Sequence, residues 1–389
     1  MESVASPEKI IPRKTPLNAL HRRLGAKMVN FGGWDMPVEY PANGGLVAEH
    51  KAVRSGVGVF DVSHMGDICL HTKQRPGGAL QAVQHLTMND ASKLAIGQAQ
   101  YSAMLYPQGT FVDDVIVHRL GEDDYLLVIN AGTREKDINW VRTNTASFDC
   151  VVEDLSDSFT QLAIQGPRAV DVLRKLTDVS LDSIKNYWFT HGTACGLRNI
   201  LIARTGYTGE DGFEIYIPSD ASTSESVWNQ VIDAGREFGI LPCGLGARNT
   251  LRLEAKMALY EHEISDTINV WEAGLNRYCK LDKGDFVGRS ELAKLREQSL
   301  SRTLVGLEMV ERGIARDGYR CLSETGEAIG YITSGSPSPT LGKNIALAYV
   351  PPAMSNLGTT ICVEVRSQKC KAQVVATPFY KRIRKAIAS

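Results

Sequence analysis

Two adjacent acids, Asp113 and Asp114 in FVDDVIV, interrupt an otherwise apolar strand-like run. Burying an ionised carboxylate is costly unless it is hydrogen-bonded or paired, so such an acid is either a structural partner or a proton-handling group with a shifted pKa. Alternation places Val112, Asp114, Ile116 and His118 on one face and Phe111, Asp113, Val115 and Val117 on the other, so one acid is expected to point inward. A turn at Pro107 and Gly109 folds YSAML back onto this strand and sets Tyr101 or Ser102 opposite Asp114. A phenol beside a carboxylate lines a small polar pocket.

TGYTGEDGFEI, Thr205 to Ile215, is a second candidate. The runs around it read as strands joined by a glycine-rich loop. Phe213, Ile215 and Ile217 share one strand face, which puts Glu214 and Tyr216 on the other, ordinarily a solvated face. In GLGARNTLRLEA, Arg248 and Arg252 lie four residues apart on one helical face, with Arg248 in the first turn. An arginine there opposes the helix dipole, so a specific partner is expected: Glu214 within the protein, or the amide or carbonyl edge of a ligand. The glycine pattern lacks the third glycine and the parallel βαβ setting of a dinucleotide site. His64 in DVSHMGD reads as a packing residue with its hydrogen bonds satisfied, and no nucleophile elbow accompanies Ser63.

The elements that must position these residues are mixed. A helix-like start gives way to antiparallel hairpins, a helix from near Thr133, a helix from Pro167 to Leu176 and an amphipathic segment from Ser224 to Gly239. Beyond a boundary near residue 295 the chain becomes short strands separated by Gly, Pro and Ser. The reading is therefore α+β, with a region 15–294 and a mostly β domain 295–389, and with no short internal repeat. A chain of 389 residues, 43% apolar and 22% charged, exceeds what one core organises. A net charge of −1 with mixed signs leaves no footprint for nucleic acid or an anionic membrane. Eight cysteines without a CxxC pair and histidines without ligand spacing signal neither a zinc site nor a disulfide framework. The N-terminus lacks targeting character and no segment reaches membrane-span length, so a cytoplasmic, bacterial protein is expected.

The ordered set FGGWDMPVEY, FDVSHMGD, GTFVDDVIV, LAIQGP, RTGYTGEDGFEI, GLGARNTLRLEA, ITSGSPSPTLGKNIALAYV and TPFYKR resembles the aminomethyltransferase family, the T-proteins of the glycine cleavage system. The resemblance spans essentially the whole chain. It implies two α/β domains with antiparallel sheets and a C-terminal β-barrel or jelly roll, arranged around a central folate-binding opening. It also implies transfer of an aminomethyl group from the lipoyl arm of the partner H-protein to tetrahydrofolate, with release of ammonia. By the same match Asp114 is the key carboxylate near folate N5 and N10. Glu214 and Arg248 hold the pterin ring, Tyr101 and Tyr207 line its pocket, and Asn130 lies nearby. The loop glycines are expected to let the backbone approach the flat ring. Asn249 departs from the family's usual Asp and His118 from an aromatic; Glu210 and Asp211 are loop residues, and the basic tail Lys381, Arg382 and Arg384 is expected to be solvent-exposed. A folate-dependent demethylase-type relative acting on a methylated amine or sulfur compound, and a non-catalytic folate-binding protein, are the competing readings.

Overall fold

A computed structural model describes residues 11–382. The chain opens with a short helix, α1 (Asn18–Arg23), a hairpin β1 (Lys27–Phe31) and β2 (Trp34–Glu39), then α2 (Gly45–Ser55) and β3 (Gly58–Asp61). Next comes a meander with its own helices: β4 (Gly66–Thr72), α3 (Gly78–Leu86), β5 (Ala99–Leu105), β6 (Phe111–Arg119), β7 (Asp124–Ile129), α4 (Arg134–Thr145) and β8 (Cys150–Asp154). The same order then recurs as β9 (Phe159–Gln165), α5 (Ala169–Arg174), β10 (Phe189–Ala194), β11 (Leu197–Ala203), β12 (Gly212–Pro218), α6 (Ala221–Gly235) and β13 (Leu241–Pro242).

The two sheets share a topology, β5-β6-β7-β4-β8 and β10-β11-β12-β9-β3-β13, antiparallel except where β13 meets β3. They join symmetrically: Ala99 N–H donates to Tyr187 O and Phe189 N–H to Gly97 O, each at 2.8 Å. The molecule thus contains a structural repeat of about 90 residues that its sequence conceals, because a sheet needs a matching apolar pattern and not matching residues.

Each sheet buries one face under its own helices. Ile68, Val115, Val117 and Leu127 pack against Val83, Leu86, Ile138 and Val141 of α3 and α4. Ile164, Ile202, Phe213, Ile215 and Ile217 pack against Val172, Trp228 and Val231 of α5 and α6. The opposite faces meet each other through Ala99, Leu126, Val128, Phe189, Leu201, Ala203 and Tyr216. The β12 face bearing Glu214 and Tyr216 is therefore an internal seam and not a solvated surface, since a second sheet covers it.

Helix α7 (Leu245–Glu254) packs on β2 and α2, and a further helix, α8 (Arg289–Arg296), precedes the last part of the chain. There β14 (Thr303–Met309), β15 (Arg320–Leu322), β16 (Ala328–Ser338), β17 (Lys343–Val350), β18 (Thr360–Val365) and β19 (Gln368–Val375) close a barrel in the order β14-β17-β16-β15-β18-β19. The α+β class with two antiparallel sheet layers and a closed C-terminal barrel matches the expected architecture. α7 also packs on β16 and β17 of the barrel. Buried Arg252 donates to Glu263 at 2.7 Å and Ser334 at 2.8 Å, while Glu254 accepts from Arg54 at 2.8 Å and Thr340 at 2.8 Å. These bonds hold the C-terminal half of α7 in place and fix where its first turn points. No helix among the described residues is long and apolar enough to cross a membrane.

Candidate active site

The hairpin of β5 and β6 carries the first half of the site. A bulge between Met104 and Leu105 shifts the register, so Ala103 and not Tyr101 or Ser102 stands opposite Asp114. Tyr101 lies opposite Ile116, diagonal to the acid on the same face. Its buried hydroxyl sits against the Asp114 carboxylate without a hydrogen bond of good geometry. Asp113 is fully buried, while Asp114 on the opposite face keeps partial exposure, so one acid points inward as expected. Asn130, immediately after β7, donates from one amide nitrogen to Asp113 Oδ1 and to Asp114 Oδ1, each at 2.8 Å. Burial first, and then the charge of Asp113, push the Asp114 carboxyl up to about 7; the bond from Asn130 opposes them.

The loop between β11 and β12 and the first turn of α7 supply the other half. Thr205 Oγ1 donates to Glu214, whose carboxyl is raised by burial and held down by that bond and by the Arg248 charge. Arg248 has no hydrogen-bond or ion-pair partner among the described residues. Its guanidinium lies over the Tyr207 ring at 5.0 Å and the Phe31 ring at 5.6 Å. The expected internal partner, Glu214, is near enough to act on its charge but does not pair with it. Tyr207 donates its hydroxyl to Ala258 O, which fixes the ring. Gly206 and Gly212 of the loop make room for Gln165. A Cβ on Gly206 would meet Gln165 Oε1 at 2.0 Å, and one on Gly212 its Nε2 at 2.5 Å. Gln165 then donates to Thr205 O and accepts from Thr208 Oγ1, so the glycines shape the loop through its scaffold.

Tyr101, Asp114, Asn130, Tyr207, Glu214 and Arg248 are surrounded by protein yet all keep partial exposure, as side chains lining an internal opening do. Sequence reasoning missed Tyr187 and Tyr278, which join them. The Tyr278 ring lies 4.7 Å from that of Tyr101, and burial raises the Tyr187 phenol to about 12. Tyr187 opens the aromatic run Tyr187-Trp188-Phe189 and Tyr278 ends a single 3-10 turn, and neither lies in a periodic pattern that would single it out; Phe31 sat in plain view within FGGWDMPVEY. His64 is fully buried beside Phe31, ring centroids 5.8 Å apart, with neither ring nitrogen hydrogen-bonded. Burial and the Arg248 charge push its pKa down to about 3, so it is a neutral wall and not the satisfied residue expected. His118 likewise lacks partners and packs edge-on to Phe189 at 5.2 Å.

The remaining expectations resolve as structure. Glu210 pairs with Arg54 at 2.9 Å, Asp211 with Arg204, and Asn249 accepts from Arg252 at 2.9 and 2.7 Å. In the tail, Arg382 approaches Asp211 at 3.4 Å and is not freely solvated; Arg384 lies outside the described residues. No three His, Cys, Asp or Glu side chains among the described residues converge as a metal site.

The opening thus presents a bare planar donor, a buried acceptor, aromatic faces and a carboxylate poised near neutrality. This set suits a flat heterocycle with a mixed donor and acceptor edge and a reacting amine.

Comparison with known proteins agrees. Residues 17–283 match the GCVT N-terminal domain, and residues 302–381 the glycine cleavage T-protein C-terminal barrel domain. An aminomethyltransferase of Koribacter versatilis is 66% identical over 96% of this chain and 97% of its own. One from Acidobacterium capsulatum is 67% identical with the same coverage. The crystal structure of glycine cleavage system aminomethyltransferase T from Bartonella henselae superposes with a TM-score of 0.87, at 32% identity, over 95% of this chain and 98% of that one. The chain belongs to the glycine cleavage T-protein family of aminomethyltransferases.

Proposed function

We propose that this chain transfers the aminomethyl group carried on the lipoyl arm of H-protein to tetrahydrofolate, and that Asp114 is its catalytic carboxylate. The substrate carbon is bonded to sulfur and nitrogen. Its transfer forms two carbon–nitrogen bonds, breaks one carbon–nitrogen and one carbon–sulfur bond, and releases ammonia and the reduced lipoyl thiol. Two N–H protons leave the folate nitrogens, one for the departing amine and one for the departing sulfur. A fixed acid that accepts and returns a proton serves both transfers.

The observation that carries this reading is the placement of Asp114. Asn130 fixes its carboxylate at 2.8 Å, Tyr101 flanks it, and its pKa of about 7 lets it exchange a proton at neutral pH. Arg248 and Glu214 offer a donor and an acceptor to the two sides of a pterin edge, with Tyr207 and Tyr101 as ring faces. Residues 15–294 form the folate-binding region on this reading and 295–389 the barrel domain, with the division in the last turn of α8.

The test is ammonia release and methylenetetrahydrofolate formation by the purified chain with tetrahydrofolate and aminomethyl-loaded H-protein, run beside Asp114→Asn. Turnover by the natural chain and its loss in the variant, with tetrahydrofolate still bound by both, is the expected result. Equal loss of folate binding in the variant would remove Asp114 from the chemistry.

A further inference from the structure

The segment TPFYKR leaves the last barrel strand, β19, and runs back across the end of α7. Phe379 packs with Leu253 of α7 and with Ile345 and Leu347 of β17, and the Tyr380 N–H donates to Glu254 O at 2.8 Å. Lys381 is exposed, whereas Tyr380 and Arg382 on either side of it are half-buried. An irregular segment stays in one place only where specific contacts outweigh the conformational freedom it gives up.

Those contacts lead into the loop between β11 and β12. Tyr380 sets its ring against Arg54, with the guanidinium carbon 4.0 Å from the ring centroid. Arg54 Nη1 then donates to Thr208 O at 2.7 Å and to Glu210 Oε1 at 2.9 Å, and Nη2 to Glu254 Oε2 at 2.8 Å. The Arg54 and Glu210 side chains are only 7% and 5% exposed. An aromatic face against a guanidinium keeps water from it, and an ion pair shielded from water is the stronger for it. Further along, Arg382 Nη1 stands 3.4 Å from Asp211 Oδ1, which also accepts from Arg204 Nε at 3.0 Å across the base of the loop. The tail therefore reaches the loop on its outer side at residues 208, 210 and 211, while Gln165 and the bond from Tyr207 to Ala258 O hold its inner side.

We propose that Tyr380 and Arg382 are positioning residues: acting through Arg54, Glu210 and Asp211, they hold the loop so that Tyr207 meets the flat ring of the acceptor. The inference rests on the tetrahydrofolate reading given above. Tyr207 adjoins Thr208, whose carbonyl Arg54 grips, and the Arg248 guanidinium lies over the Tyr207 ring at 5.0 Å, so a loop that drifts outward loosens both. Asp114 and Asn130 belong to the other sheet and keep their places when the loop moves. The tail thus governs how tightly the ring is held and leaves the proton-handling group alone.

Two readouts test this on the full chain. In amide hydrogen exchange without ligand, Tyr380→Leu should speed exchange across residues 205–211 while β11, β12 and the barrel strands keep their protection. In tetrahydrofolate titration the same variant should raise Kd at least about threefold, with kcat at saturating tetrahydrofolate unchanged. Arg382→Gln should act in the same direction and more weakly, because its ion pair is partly exposed. Tyr380→Phe, which keeps a ring against Arg54, should behave as the natural chain. Should Tyr380→Leu fail to fold, Arg382→Gln carries both readouts. Unchanged loop exchange, an unchanged Kd, exchange that rises equally through the strands, or a Tyr380→Phe as impaired as Tyr380→Leu overturns the proposal. The exchange arm needs no folate, so failure of the natural chain to bind tetrahydrofolate would strike the proposed function and be told apart from a failure of the tail to hold the loop.

Discussion

The two repeats share strand order, helices and even the loop that leads into their first meander strand, yet they are loaded differently. In the first, Ala99 pairs with His118, and four residues before His118 stands Asp114, enclosed and bridged by Asn130. In the second, Phe189 pairs with Ala203, and four residues before Ala203 stands Asn199, exposed and at a φ of 57°. The second repeat instead devotes its next loop and strand to Tyr207 and Glu214, and α7, held by α2, β2 and the barrel, brings Arg248 beside them. On the proposed reading, one half holds the proton and the other holds the ring. The difference comes from where each hairpin meets the rest of the molecule: the β5–β6 turn is capped by the segment after α7, with Phe111 N–H bonded to Ser265 O, while the β10–β11 turn looks into water.

This division is open to attack at several points. The largest effect is expected from Asp114→Asn, which should lower kcat by roughly 10²–10⁴ while tetrahydrofolate affinity, measured by titration, changes little. Arg248→Met should show the reverse. It loses a charge-assisted donor of about 1.5–3 kcal/mol, so affinity falls about 10–100-fold while turnover at saturating folate falls far less. Comparable kcat losses in both variants would erase the distinction between the halves.

The pH dependence sharpens the same contrast. With the Asp114 carboxyl raised from 3.8 to about 7, turnover should fall as pH drops below about 7. The sign for stability is opposite to that of an ordinary paired carboxylate. Between about pH 4 and 7 the folded chain holds a proton at Asp114 that the unfolded chain has released, so stability declines as pH rises through that window. Asp114→Asn removes this liability. Its melting temperature should exceed that of the natural chain at pH 8 by more than it does at pH 4, at about 1 °C per kcal/mol for a fold of this size. The smallest effect is assigned to Asn199→Asp, which places an acid at the equivalent point of the second repeat. Aspartate tolerates the left-handed backbone, so both turnover and stability should stay within about 0.5 kcal/mol.

Much of this was legible from residues. Period two in FEIYI and in DDVIV identified the strands and the faces of Asp114 and Glu214, and the shift to short strands near residue 295 announced the β-rich end. The misses have physical causes. The bulge that moves Ala103 opposite Asp114 adds one residue without any Gly or Pro to mark it. The repeat is invisible because its two apolar patterns agree while its residues do not. The Glu214 face looked solvated because alternation reports only that two faces differ, and a polar residue in a sheet-to-sheet seam reads like one in water. Two glycines of TGYTGEDGFEI, Gly206 and Gly212, make room for Gln165, a residue some forty positions earlier that no local pattern could connect.

The apolar seam between the sheets has a consequence for how the chain is made. Leu126 and Val128 have their cover in Phe189, Leu201, Ala203 and Tyr216, which leave the ribosome up to about 90 residues later, roughly 5–20 s at ordinary synthesis rates. During that interval the nascent first half presents an unfinished greasy face to water or to a chaperone. The substrate opening comes into being when that face closes, so a polypeptide released early is both sticky and inert.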